Sequence, residues 1–110
     1  MPLVTVEQIN DALHLDLQSS GSPAEFDDER LADVELKIGQ AEDMVIDYLK
    51  RPDHGWDETT VPGRVSAAII LVVGALFDDN KAELLSGLSS GDLNNPIVAL
   101  LYRLRDPALA

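Results

Sequence analysis

The 110-residue sequence contains no cysteine. That excludes disulfides, thiolate chemistry and Cys-based zinc sites, and it fits a reducing cytoplasm. Only two histidines are present, His14 and His54. Neither has a second His four positions on, as an HExxH metal site needs, so both read as ordinary surface residues. No GxxxxGK[ST] or GxGxxG phosphate loop occurs. An EF-hand needs acidic ligands at alternate positions around a central Gly and a closing Glu. The clusters Asp27-Asp28-Glu29 and Asp78-Asp79 lack that pattern, reading instead as helix-start charges and a solvated helix end. No motif sets a Ser or Thr beside a His as a nucleophile–base pair. The sequence thus proposes no catalytic residue, no metal ligand set and no cofactor, and an enzyme is the weaker class.

Positive charge is scarce as well. Eight Lys and Arg stand against twenty Asp and Glu, a net charge of −12. The basic footprint of a nucleic-acid binder is missing, and such a surface repels phosphate. It still leaves open a protein that stands close to DNA without adhering to it. The acid is uneven: residues 1–60 hold fifteen carboxylates against four cations, residues 61–110 five against four. The longest apolar run, residues 67–77, is eleven long, short of the roughly 18 that a bilayer span takes. The opening MPLVTVEQ has neither the basic start nor the apolar stretch of a signal peptide. A soluble protein with one deeply buried segment is expected.

What is present is helical patterning in a chain that is 45% hydrophobic and of ordinary single-domain size, spanning 1–110. A core this small gains stability from a partner surface. The first helix begins at Thr5, a good N-cap with Gln8 completing a capping box and Val4 and Ile9 at the staple positions. It ends near His14 to Leu15, and residues 17–23 read as a Ser/Gly/Pro loop. The second helix is expected from about Asp27 to Leu49. Asp27, Asp28 and Glu29 suit its positive end, and Leu31, Val34, Ile38, Ala41, Val45 and Tyr48 form its apolar stripe. Lys50 and Arg51 close it and Pro52 stops it. Residues 52–60 form a loop carrying Trp56, which either folds back as a lid on the core or anchors a neighbouring subunit.

A third helix is expected from near Pro62, with Thr60 as a cap, to about Asn80. It is apolar all round over residues 67–77, a pattern that calls for a central place in a bundle or a share in an interface. Its β-branched cluster leaves a buried strand open as an alternative. Gly74 within it, costing about 1 kcal/mol against Ala, marks close helix packing. A short helix from Lys81 to Leu85 leads into a flexible connection. The last helix opens at Asn95 as cap and Pro96 in the first turn, shows Ile97, Leu100, Leu101 and Leu104 as its apolar face, and ends at Asp106-Pro107. The fold class is all-α, a small bundle of about four helices with long loops.

The order of LVTVEQINDALHLD (3–16), DDERLADVELKIGQAEDMVIDYLKRP (27–52), VPGRVSAAIILVVGALFDDNKAEL (61–84) and NNPIVALLYRLRDP (94–107) resembles the head–tail connector family of long-tailed phages, of the small connector type in lambdoid siphophages. The resemblance covers nearly the whole chain. Each motif is only helix chemistry; the order, spacing and total length are what is specific. Two departures concern loops. This chain has a longer stretch at 18–26, and Asp79-Asn80-Lys81-Ala82-Glu83 stands where the family often has an Asn-Arg-Glu-like step. The resemblance implies a virion subunit, made in the host cytoplasm, that forms a ring, dodecameric in the virion. The ring sits between the portal at the capsid vertex and the tail-side completion proteins, and DNA passes through its lumen. It implies no catalytic residue.

On that reading Trp56, Ile70, Val73 and Phe77 are candidates for the contact between subunits. Asp33, Glu42, Asp43 and Asp47 are candidates for lumen-facing acids that repel passing DNA, or else they solvate the outer wall. Tyr102, Arg103 and Arg105 are candidates for portal docking, or else the cations complement the helix dipole. The alternative from another class is a small acidic adaptor or regulatory module that binds a partner helix in a groove.

Overall fold

The computed structural model describes residues 3–15, 17, 29–50, 53–78 and 81–104. The loop at 18–26, the acids Asp27 and Asp28, the stop at Arg51 and Pro52, the pair Asp79 and Asn80, and the terminus from Arg105 on lie outside the described residues. Among the described residues the chain forms five helices and no strand: α1 (Val6–Leu13), α2 (Leu31–Leu49), α3 (Gly63–Phe77), α4 (Ala82–Ser90) and α5 (Pro96–Leu101). The all-α expectation holds, and the β-branched cluster on α3 is helical.

The expected capping box opens α1. The Gln8 amide donates to Thr5 Oγ1 at 3.1 Å, and the Thr5 amide donates to Gln8 Oε1 at 2.8 Å. Val4 and Ile9, the staple pair, are fully buried. His14 ends the helix in the left-handed region at φ 54°. The second helix starts later than its acidic run suggests. Arg30 takes the N-cap position, its carbonyl accepts from the Val34 amide at 3.0 Å, and its guanidinium donates to the Leu15 carbonyl at 3.0 Å. The turn before α2 is thereby fixed to the end of α1. Val34, Ile38, Ala41, Val45 and Leu49 are buried along one stripe of α2, as the three-or-four spacing requires.

Helix α3 begins one residue later than expected, and Pro62 occupies the cap position rather than the first turn. Thr60 does not cap it. Its hydroxyl instead accepts the Asp57 amide at 2.9 Å within the preceding turn. The helix stops at Phe77, before Asn80, because Asp78 turns extended at φ −127°. A larger difference concerns α4, which continues to Ser90 instead of ending at Leu85. Leu84, Leu85 and Leu88 turn toward the core, and that burial outweighs the loop-like composition Ser86-Gly87-Leu88-Ser89-Ser90. Gly91, at φ +71°, ends the helix, a conformation glycine adopts without a side-chain clash. The cap of α5 is the expected one: Asn95 Oδ1 accepts from the amides of Ile97 and Val98 at 2.8 and 3.3 Å.

Helix α3 packs against each of the other four helices. Val65, Ala68, Ile69, Val72 and Val73 carry the contacts and are fully buried, each larger side chain contributing about 1.5–3 kcal/mol. Gly74 marks a close approach, as expected: a Cβ there would lie 3.3 Å from Leu13 Cδ2 of α1. Helices α1 and α2 cover one part of α3 and α4 and α5 another. The result is a flat slab, 47 × 32 × 18 Å, so one face of each layer stays outward.

Candidate interaction surfaces

The residues singled out as an intersubunit contact divide three ways. Val73 is 0% exposed; its side chain is used up inside the subunit and offers a partner nothing, which removes it from that set. Trp56 is half-buried and packs on the core, the lid arrangement. Its ring stacks on His54 at 5.1 Å, and its amide donates to His54 Nδ1 at 2.8 Å. Ile70 is half-buried, while Phe77 is 39% and Leu71 37% exposed. The helix that reads as apolar all round is therefore covered on most of its circumference, with Leu71 and Phe77 left outward.

The four acids of α2 do not share one environment. Asp43 and Asp47 are exposed on the side opposite the buried stripe. Asp33 is exposed too, but it accepts from Lys37 Nζ at 2.7 Å. The same ammonium lies 4.9 Å from the centre of the Phe77 ring. Lys37 thus ties the start of α2 to the end of α3, in contacts worth about 0.3–1 kcal/mol each at an exposed site.

Glu42 differs in kind. Its Oε1 accepts from the Leu3 amide at 2.7 Å and the Val4 amide at 3.4 Å, so the carboxylate faces the N-terminal segment and not outward. That is a correction to its grouping with the outward acids. Burial pushes the Glu42 carboxyl above the ordinary glutamate range, and the two backbone donors only partly offset it. A charged group is costly to remove from water unless hydrogen bonds satisfy it. Sequence periodicity could not single it out, since its partners lie 39 and 38 residues away.

Beside Glu42, an open groove runs between the start of α1 and α2. Val6 and Leu36 give it apolar surface over the buried Val4 and Ile38, Gly39 leaves its wall bare, and Glu7, Glu35 and Asp43 line its rim. Leu36 is 59% exposed. Sequence reasoning passed over it, although a signal existed: Leu36 is an apolar residue off the buried stripe, between Glu35 and Lys37.

At the other end of the molecule, Tyr102 is 45% exposed and Arg103 is exposed. Arg103 Nε donates to the Tyr102 hydroxyl at 3.1 Å, and its guanidinium carbon lies 5.6 Å from that ring's centre. Arg105 lies outside the described residues. Leu93, also missed from sequence, is 66% exposed in the turn between α4 and α5. In the loop before α3, Asp57 Oδ1 accepts from the hydroxyl and amide of Thr59 at 2.7 and 2.8 Å and from the Thr60 amide at 3.0 Å. The Thr59 donors foremost hold its carboxyl below the usual aspartate range.

Among the described residues no three His, Asp or Glu side chains come together as a metal site, and no helix is long and apolar enough to cross a membrane. Comparison with family models, with curated proteins and with solved structures finds no match for this chain.

Proposed function

We propose that the chain is a structural subunit of a ring adaptor between a portal at a capsid vertex and the tail-side proteins of a long-tailed phage, with DNA passing through the ring. The observation that carries the reading is the pairing of two outward surfaces on one small helical slab. One is the acidic side of α2, with Asp43 and Asp47. The other is the apolar edge of α3, with Leu71 and Phe77 exposed and Ile70 half-buried. An apolar edge suits packing between subunits, and an acidic wall keeps phosphate at a distance, an effect that reaches about 10 Å at 0.1 M salt. Tyr102 and Arg103 at the end of α5 are the described residues assigned to portal docking.

The test is addition of the purified chain to a purified portal protein of a long-tailed phage. A stable ring on the portal, seen by electron microscopy, is expected, and a chain that never adds to portal sinks the reading. With the ring in hand, replacing Asp33, Asp43 and Asp47 together by Asn is expected to slow DNA ejection; unchanged kinetics would move these acids to the outer wall. Glu42 is left out of that variant because its carboxylate serves the N-terminal segment.

A second reading is favoured by the groove between α1 and α2. An apolar floor with a carboxylate rim suits an amphipathic partner helix, which would make the chain an acidic adaptor module. Capture of such a helix by a chain that stays monomeric and ignores portal would select it.

A further inference from the structure

We infer that the α1–α2 groove docks a cationic amphipathic helix of another protein, packed on α2 at Gly39 with its positive side chains set on Glu7, Glu35 and Glu42. This rests on the adaptor reading of the groove and adds the point of contact and the charge of the partner. A glycine inside a helix weakens it relative to alanine, so its place there needs a reason. Two other glycines within helices have theirs inside the subunit. At Gly74 a Cβ would meet Leu13 Cδ2 at 3.3 Å, and at Gly87 it would overlap the Asn95 side chain. Gly39 is exposed in the middle of α2. No other part of the described chain lies within 4 Å of where its Cβ would stand, so the packing of the subunit gains nothing from the missing side chain. A helix laid on α2 does gain, because a bare position lets the two backbones approach closely.

The surroundings of Gly39 set the partner's chemistry. Leu36, one turn earlier, is exposed, and Val6 of α1 lines the same groove half-buried. Both suit the apolar face of a helix. Glu35 and Glu42 stand on either side of Gly39, two turns of α2 apart, a rise of about 10 Å. Glu7, in the first turn of α1, lines the opposite side. Among the described residues no cation pairs with any of these three carboxylates. Glu42 Oε1 is taken by the Leu3 and Val4 amides, while no bond among the described residues engages its second oxygen. A half-buried carboxylate in that state is stabilised by a positive charge brought beside it. The complement is a helix carrying Lys or Arg at a two-turn interval, with a small or apolar residue between them to meet Gly39. A neutral or acidic helix would leave the three charges uncompensated.

The test is titration of designed helical peptides onto the full chain, followed by amide resonances. One is amphipathic with Lys two turns apart, one has those Lys replaced by Glu, and one is the first with its sequence scrambled. The cationic helix is expected to shift the amides of Val6, Leu36 and Gly39 and to bind about tenfold or more tightly than the other two. Gly39→Leu, at an open position, is expected to raise the urea midpoint of the chain and to weaken the cationic helix about tenfold. Glu7→Lys with Glu35→Lys, folded by circular dichroism, is expected to turn the preference toward the acidic helix. Asp43 is untouched in every variant, so the outward acids of α2 keep their charge. Equal binding of the scrambled peptide, binding that survives Gly39→Leu, or protection of the same amides by the chain's own self-association overturns the inference. An acidic helix that seats in the groove as tightly as the cationic one sinks this inference and leaves the adaptor reading. A groove that takes no helix of either charge sinks both.

Discussion

Two polar clamps hold the two ends of this molecule, and they solve the same problem in opposite ways. On the α1–α2 side, the Glu42 carboxylate accepts the amides of Leu3 and Val4 and fixes the N-terminal segment across α2. On the α4–α5 side, the Asn95 amide group donates to the Leu84 carbonyl at 2.8 Å while its oxygen caps α5. The first clamp is charged and stays half-buried, and its raised pKa is the mark of incomplete compensation. The second is neutral and can be buried, at 7% exposure, because every bond it makes is to backbone. Its requirement is room. A Cβ at residue 87 would overlap the Asn95 side chain, so Gly87 is the counterpart of the neutral clamp. Charge is tolerated near water; a neutral amide is tolerated inside, provided the adjoining helix gives way.

The largest expected effect comes from filling that room. Gly87→Val should displace the Asn95 side chain and destabilise the fold by about 3 kcal/mol. Asn95→Ala alone should cost about 1–2 kcal/mol as a lost cap. In the double variant the costs should fall short of their sum, because the new side chain then has nothing to displace. Additive losses in urea unfolding would mean that the glycine and the amide are not coupled.

The charged clamp should break less and titrate more. Glu42→Ala leaves the buried Leu3 amide without its acceptor, a cost of about 1–3 kcal/mol. Glu42→Gln keeps the acceptor oxygen and removes the charge, so stability near pH 7 should be retained or raised. The sign of the pH effect follows from the raised pKa. The folded chain holds the Glu42 proton more tightly than the unfolded chain does. Stability from this group is therefore present below the ordinary glutamate pKa and is lost as pH rises through the elevated folded value. Thermal midpoints across that window should slope for the parent and flatten for Glu42→Gln; parallel slopes would contradict the assignment.

The smallest effect is expected at Asp57, which titrates in the opposite sense. Its folded pKa is depressed, so its contribution is present above the ordinary aspartate pKa and fades as pH falls through the depressed value. In Asp57→Asn the acid-side weakening of this turn should disappear. Amide exchange at Thr59 and Thr60 measures it.

The sites were less legible in the sequence than the elements. Leu31, Val34, Ile38, Ala41 and Val45 announced α2 by spacing, yet the same spacing placed Glu42 with outward acids because its partners are remote in sequence. The apolar run on α3 announced a buried helix but not which of its residues stay outward; Val73 is consumed by the core and Leu71 is not. Serine and glycine around residue 87 read as a connection, and only Leu84, Leu85 and Leu88 meeting the core make it helix.

By itself the sequence determined the helical class, the caps at Thr5 and Asn95 and the buried stripe of α2. Those features depend on contacts within about one turn of helix, so the local order of residues suffices. Tertiary structure alone decided that Glu42 serves Leu3 and Val4, that Gly87 makes space for Asn95, and that Leu36 stands beside a groove. Each of those relations joins segments that only packing against α3 brings together, and burial there outweighs local preference.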